Sequence, residues 1–145
     1  MPTNERKNLV APCGIDCGIC ELYTCKDNSQ LYDHLISRGI PKDNIPCAGC
    51  RSIEGMCPVH PTKCATYTCV TERNVDFCHE CNDFPCSKLQ PAADRADILP
   101  HNTKVFNLCT IKNVGLENFI KKSAEIKLKY YKGKMVIGAG PHIEN

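Results

Sequence analysis

The stretch Cys13-Gly-Ile-Asp-Cys17-Gly-Ile-Cys20 opens a segment that runs to Cys86 and holds twelve of the 13 cysteines in this 145-residue chain. Between residues 41 and 91, only 8 of 51 residues are Leu, Ile, Val or Phe, and 6 are Pro. A segment so poor in apolar side chains cannot offset its chain entropy by burial alone. Cross-links must therefore hold it together, and the candidates are disulfides and metal ions.

The start of the sequence favours metal over disulfides. Residues 1–10 carry Glu5, Arg6 and Lys7 with no apolar segment behind them, so we expect no secretory signal and a cytoplasmic location. Repeated cysteines in a reducing cytosol bind metal more often than they pair, although disulfides do occur in thermophile cytosols. No apolar run approaches the ~20 residues of a membrane span, so we expect no membrane association.

The spacing of the cysteines predicts zinc knuckles. Two thiolates three positions apart can turn inward on one tight loop, whose N–H groups then point at the sulfurs. Pro46 and Gly49 suit such a turn. One pair of this kind would be weak evidence, but the chain has three within 65 residues: Cys17–Cys20, Cys47–Cys50 and Cys78–Cys81.

The twelve clustered cysteines divide into three sets of four, as three tetrahedral sites would require. The sets are Cys13, Cys17, Cys20 and Cys25; Cys47, Cys50, Cys57 and Cys64; and Cys69, Cys78, Cys81 and Cys86. His60 could replace one sulfur of the middle set. Crossed groupings, such as Cys47 and Cys50 with Cys64 and Cys69, agree with the spacing equally well. We expect two to three Zn²⁺ sites.

One spacing indicates a different cofactor. Cys13, Cys17 and Cys20 form the C-x3-C-x2-C pattern that holds a [4Fe–4S] cluster in radical enzymes, but the barrel of those enzymes is far larger than this chain. A simple cluster with Cys25 as fourth ligand is the alternative to zinc. Closed sites of four cysteines usually hold zinc, so zinc is the prediction and an iron–sulfur or thiol redox centre is the alternative.

The cysteine strings also resemble a known family. Cys13-Gly-Ile-Asp-Cys17, Cys47-Ala-Gly-Cys50 and Phe84-Pro-Cys86-Ser-Lys-Leu89 are similar to domain of unknown function 3795. The resemblance extends from residue 13 to residue 89, and more weakly to residue 117. It implies a metal-binding part and no particular reaction. The chain departs from the family in the six residues between Cys57 and Cys64, where a closer pair is expected, and in a tail that lacks the extra cysteine pair of some relatives.

The rest of the pattern predicts a small α-rich fold, α+β at most. Irregular metal-stapled loops would form the N-terminal part, residues 1–89, and a basic helical part, residues 90–145, would pack against it. A capping box at Asp27-Asn-Ser-Gln30 and a terminating Gly39 bound one predicted helix. We expect Cys109 to be a thiol in the core of a later one. The remaining predicted elements are helices over 91–99, 102–112 and 116–132 and a strand over 135–137.

The distribution of charge along the chain indicates which class of partner the basic part could contact. Residues 1–86 hold 8 basic and 11 acidic residues, net −3, whereas residues 87–145 hold 10 and 5, net +5. The lysines could bind nucleic acid, but docking against a thiolate-rich lobe explains the division better. No paired carboxylates, phosphate-binding loop or Ser/His/Asp order occurs, so we assign no enzyme activity. We expect a zinc-stabilised binding or scaffold module with protein, or less readily nucleic acid, as its partner.

Overall fold

The computed structural model describes residues 2–59 and 62–144. This part of the chain forms a helix-rich fold with one antiparallel two-stranded sheet, which confirms the predicted α-rich class. The helices are α1 (Asn4–Asn8), α2 (Glu21–Thr24), α3 (Ser29–Ser37), α4 (Ala65–Arg73), α5 (Lys104–Val114) and α6 (Leu116–Lys132). The strands are β1 (Lys134–Val136) and β2 (Gly140–His142), which pair with Met135 opposite Pro141.

Local signals predicted α3 and α6 well. The cap of α3 lies one residue later than the capping box placed it, because the Asn28 side chain, and not that of Asp27, accepts a hydrogen bond from the Leu31 N–H, at 3.0 Å. The α6 helix has the predicted bounds and ends before Gly133. Between α5 and α6, Gly115 has φ of +87°, a conformation that favours glycine and lets the chain reverse without a loop.

The helix predicted over residues 91–99 is wrong. This segment forms irregular turns, and its carbonyl groups accept hydrogen bonds from tyrosine side chains of α6. The Tyr130 hydroxyl donates to the Ala96 carbonyl at 2.7 Å, and the Tyr131 hydroxyl donates to that of Ile98 at 2.9 Å. Partners from a distant helix thus satisfy carbonyl groups that a local helix would otherwise pair.

The main core draws on both ends of the chain. Its fully or largely buried members are Val10, Val70, Phe77, Cys78, Leu89, Leu108, Ile111 and Phe119. The buried face of α5 consists of Asn107, Leu108 and Ile111, whereas Phe106 is 62% exposed. Cys109 is only half-buried and lies outside the main core, so the expectation that it is a core thiol is wrong; the neighbouring Asn107 and Leu108 are the residues that this turn of α5 buries.

A second, smaller core lies under α3. It consists of Cys25, Leu35 and Ile45, with partly buried neighbours such as Leu22 and Tyr32. This core fixes the segment between the first two cysteine pairs.

The first cysteine loop is attached to the C-terminal helices by polar contacts. The buried Asp16 carboxylate accepts hydrogen bonds from both Arg6 guanidinium nitrogens, from the Gly18 N–H at 2.9 Å and from the Ser123 hydroxyl at 2.7 Å. Lys127 Nζ donates to the Ile19 carbonyl at 2.8 Å. These contacts hold the loop against α6. Within the ranges described above, no helix is both long and apolar enough to span a membrane.

Candidate metal centre

The first cysteine pair lies on a tight turn that Asp16 organises. Residues Cys17–Ile19 form one turn of 3-10 helix, and the Cys20 N–H donates to the Cys17 carbonyl at 3.1 Å. Asp16 caps this turn through the Gly18 N–H. The two cysteines of this pair therefore lie on one tight turn, whose N–H groups donate to Asp16 and to the Cys17 carbonyl.

The second pair lies directly beside the first. The Cys47 N–H donates to the Leu22 carbonyl at 2.7 Å, which brings residue 47 next to α2. Gly49 has φ of +95° and its N–H donates to Cys47 Sγ at 3.4 Å. The Sγ atoms of Cys17 and Cys50 lie 3.7 Å apart. We call Cys17, Cys20, Cys47 and Cys50 the paired-knuckle cluster.

The third pair contributes to a different cluster. Residues Cys78–Glu80 form a 3-10 turn, and the Cys81 N–H donates to the Cys78 carbonyl at 3.2 Å. The Asp83 N–H donates to Cys81 Sγ at 3.3 Å. Together with Cys69 of α4 and Cys86, these cysteines line one cavity of about 20 Å³, roughly the room that a single water-sized atom occupies. We call Cys69, Cys78, Cys81 and Cys86 the four-cysteine cavity.

A cation and a carboxylate lie at the rim of the four-cysteine cavity. Arg73, the last residue of α4, donates from Nη1 to Cys81 Sγ at 2.8 Å. Its Nη2 forms an ion pair with Asp83 Oδ2, also at 2.8 Å. Arg73 is itself one of the residues that line the cavity.

The four thiols of the paired-knuckle cluster and that of Cys78 have shifted pKa values. The hydrogen bond between Cys17 and Cys50 lowers the pKa of Cys17 to about 7 and raises that of Cys50. Burial raises the pKa of Cys20 to about 11 and that of Cys78 to about 12. Burial therefore disfavours a thiolate without a nearby cation at Cys20 and Cys78.

The remaining candidate ligands are distributed around these clusters. Cys13 packs against the main core, whereas the buried Cys25 lies in the second core and donates to the Leu22 carbonyl at 3.3 Å. Cys57 and Cys64 are half-buried, and burial raises the pKa of Cys57. His60 lies outside the described residues.

The two clusters agree only in part with the three sets drawn from spacing. The four-cysteine cavity has the same members as the third set. The contact between Cys17 and Cys50 instead joins a member of the first set to a member of the second. Among the residues described, no three His, Cys, Asp or Glu side chains are already arranged to hold one metal ion.

Sequence reasoning missed the charged residues beside the sulfurs. Arg73 and Asp83 lie on either side of Cys81 in the sequence, but nothing in their spacing marks them as its neighbours. Asp16 lies within the Cys13–Cys20 stretch, and its position between two cysteines was a usable signal that it organises the loop.

The fold and these clusters define a small helix-rich protein whose loops are lined by cysteines. The chain belongs to the family described as Protein of unknown function (DUF3795), which matches residues 9–91 and thus all twelve clustered cysteines. The resemblance noted in the sequence is therefore confirmed. No curated protein and no solved structure matches the chain.

Proposed function

We propose that this protein binds zinc through cysteine thiolates, and that the metal stabilises a binding or scaffold module. The observation that carries the proposal is the four-cysteine cavity. Its four cysteines come from α4, the third cysteine pair and the loop after that pair, and all four are among the residues that line one cavity of about 20 Å³. Thiolate is the ligand class that zinc prefers in closed structural sites.

The paired-knuckle cluster is the second proposed site. Sulfurs bound to one tetrahedral zinc ion lie ~3.8 Å apart, given zinc–sulfur bonds of ~2.3 Å. The 3.7 Å between the Sγ atoms of Cys17 and Cys50 agrees with that spacing. Two sites fall within the expected two to three, and they leave Cys13 and Cys25 as packing residues of the two cores.

Metal binding and completion of the fold are coupled in this proposal. Because no three donors in the described residues are yet in position, the sulfurs of each cluster have to close around the ion when it binds. A divalent cation offsets the cost of holding buried thiolates, which the raised pKa values of Cys20 and Cys78 reflect. A site closed by four thiolates has no open position, so we infer a structural metal rather than a hydrolytic one.

Metal analysis of protein purified without oxygen tests the proposal. We expect a colourless sample with two zinc ions per chain. Cys78→Ser should reduce this to one, whereas the matched control Cys25→Ser, which alters a buried thiol outside both clusters, should retain two. Metal-free protein with the full far-UV circular dichroism of the purified sample would contradict the proposal.

The alternative is an iron–sulfur or thiol redox centre at Cys13, Cys17 and Cys20. One observation favours a redox role, namely the contact between Cys17 and Cys50 and the pKa of about 7 at Cys17, since a thiolate is the reactive form. The same sample decides between the two, because an iron–sulfur cluster is brown and absorbs near ~400 nm.

We infer that the partner of this module is a protein rather than nucleic acid, and the contacts of the basic helix α6 support this. Lys127 is half-buried and donates to the Ile19 carbonyl, so it contributes to the packing of α6 on the first cysteine loop. Lys121, Lys122 and Lys132 are exposed. We infer that they form a solvated helix face, and titration with mixed RNA and duplex DNA at ~150 mM salt should give only weak non-specific affinity. A cytoplasmic location stays a prediction.

A further inference from the structure

We propose that Arg73 is a positioning residue for the metal site of the four-cysteine cavity: it holds the Cys81 sulfur in its ligand position and shields it from competing reagents. The inference rests on the proposed function and concerns the stability of that site. It names a residue outside the cysteine pattern.

The Arg73 guanidinium contacts a sulfur and a carboxylate at the same time, and we call this pair of contacts the Arg73 fork. One nitrogen of its guanidinium donates to Cys81 Sγ and the other to Asp83 Oδ2, each at 2.8 Å. The Asp83 N–H donates to the same sulfur at 3.3 Å. Asp83 therefore anchors the arginine through its side chain and the cysteine through its backbone.

The fork connects helix α4 to the loop of the third cysteine pair. Arg73 ends α4, which also carries Cys69, while Cys81 closes the third pair and Asp83 follows it. Fixing the end of α4 to this loop keeps Cys69 and Cys81 on the same cavity. The rigid guanidinium suits this task, because its donors have a fixed planar arrangement that a lysine ammonium lacks.

Electrostatics gives the same residue a second effect. A Zn²⁺ ion with four thiolate ligands has a net charge of −2, and the positive guanidinium nearby partly neutralises this charge. Hydrogen bonds to a ligating sulfur also withdraw electron density from it, which makes the sulfur a weaker nucleophile toward an electrophile or a proton. Cys81 is partly exposed, unlike the buried Cys78, so reagents from solvent can reach its sulfur.

Release of zinc to a colorimetric chelator, with and without N-ethylmaleimide, tests the inference on the full chain. Arg73→Gln should release one of the two zinc ions ~10-fold or more faster than the natural protein, in line with the 10–100-fold losses known for groups that support metal ligands. The release rate of Arg73→Lys should lie between those of Arg73→Gln and the natural protein, since lysine keeps the positive charge but lacks the two planar donors. The second zinc ion, at the paired-knuckle cluster, should be released at an unchanged rate.

Arg38→Gln is the matched control, because Arg38 is an exposed arginine that follows α3 in the same way as Arg73 ends α4. It should leave both release rates unchanged. Equal release rates in Arg73→Gln and the natural protein would overturn the inference while leaving the proposed function intact. Absence of zinc from the natural protein would instead refute the proposed function. Because the Arg73 side chain is 46% exposed, we expect its variants to fold, and far-UV circular dichroism checks this.

Discussion

Replacing Asp16 with Asn tests the contact that fastens the first cysteine loop to the rest of the fold. The side chain of Asp16 is 2% exposed and accepts four hydrogen bonds, two of them from Arg6 and one each from the Gly18 N–H and the Ser123 hydroxyl. Asparagine has nearly the same shape, but it has no charge and presents an NH₂ group to one of these donors. Asp16→Asn therefore leaves the Arg6 cation without its partner.

The expected loss follows from the burial of the two groups. Removing one member of a fully buried ion pair costs ~3–5 kcal/mol. The Arg6 side chain is 26% exposed, so water can solvate part of the freed charge, and we expect the lower end, about 3 kcal/mol. For a chain of this length, such a loss lowers the Tm by roughly 6–12 °C.

Urea unfolding followed by far-UV circular dichroism measures the effect, with metal content determined for every sample. Asp33→Asn, which removes an exposed carboxylate from α3, is the control and should change stability by less than ~0.5 kcal/mol. A double-mutant cycle with Arg6→Gln should show that most of the loss depends on the pair. If Asp16→Asn unfolded within ~0.5 kcal/mol of the natural protein, the assignment of Asp16 as the fastening residue would be refuted.

Three further predictions concern the metal, the core and the half-buried thiol. Chelation should unfold the segment 41–91, because its apolar side chains are too few to hold it, and limited proteolysis should then cleave there; full protease resistance after chelation would contradict this. Leu108→Ala should lower the free energy of unfolding by ~2–5 kcal/mol in urea, because Leu108 is 0% exposed and its truncation leaves a void in the core. Phe106→Ala, at an exposed site of the same helix, should cost far less. Cys109→Ser should keep both zinc ions and change stability by less than ~1 kcal/mol, since its side chain is half-buried, and loss of one zinc would make Cys109 a ligand.

Several helices could be predicted because the residues that determine them are close together in the sequence. The capping box of residues 27–30, the Gly39 terminator and the periodic apolar residues of 116–132 act within a few positions of the chain. They therefore predicted α3, whose cap lies one residue later at Asn28, and α6. The helix over 91–99 failed because its hydrogen-bond partners, the Tyr130 and Tyr131 hydroxyls, lie more than 30 positions away. The short helix α4 was missed because only Thr66 and Val70 of it are buried, which gives too weak an apolar pattern.

The sequence by itself determined the α-rich class, the cysteine loops and the family, because each depends on residue type and short spacing. The cysteines that line the cavity around Cys78 are the members of one of the sets drawn from spacing, but spacing alone allowed crossed groupings equally. Only the tertiary structure decided that Cys17 meets Cys50, that Cys25 lies in the second core and that Arg73 reaches Cys81. The spacing of these residues along the chain does not indicate which of them are in contact. The contacts depend on how the loops pack against α4 and α6.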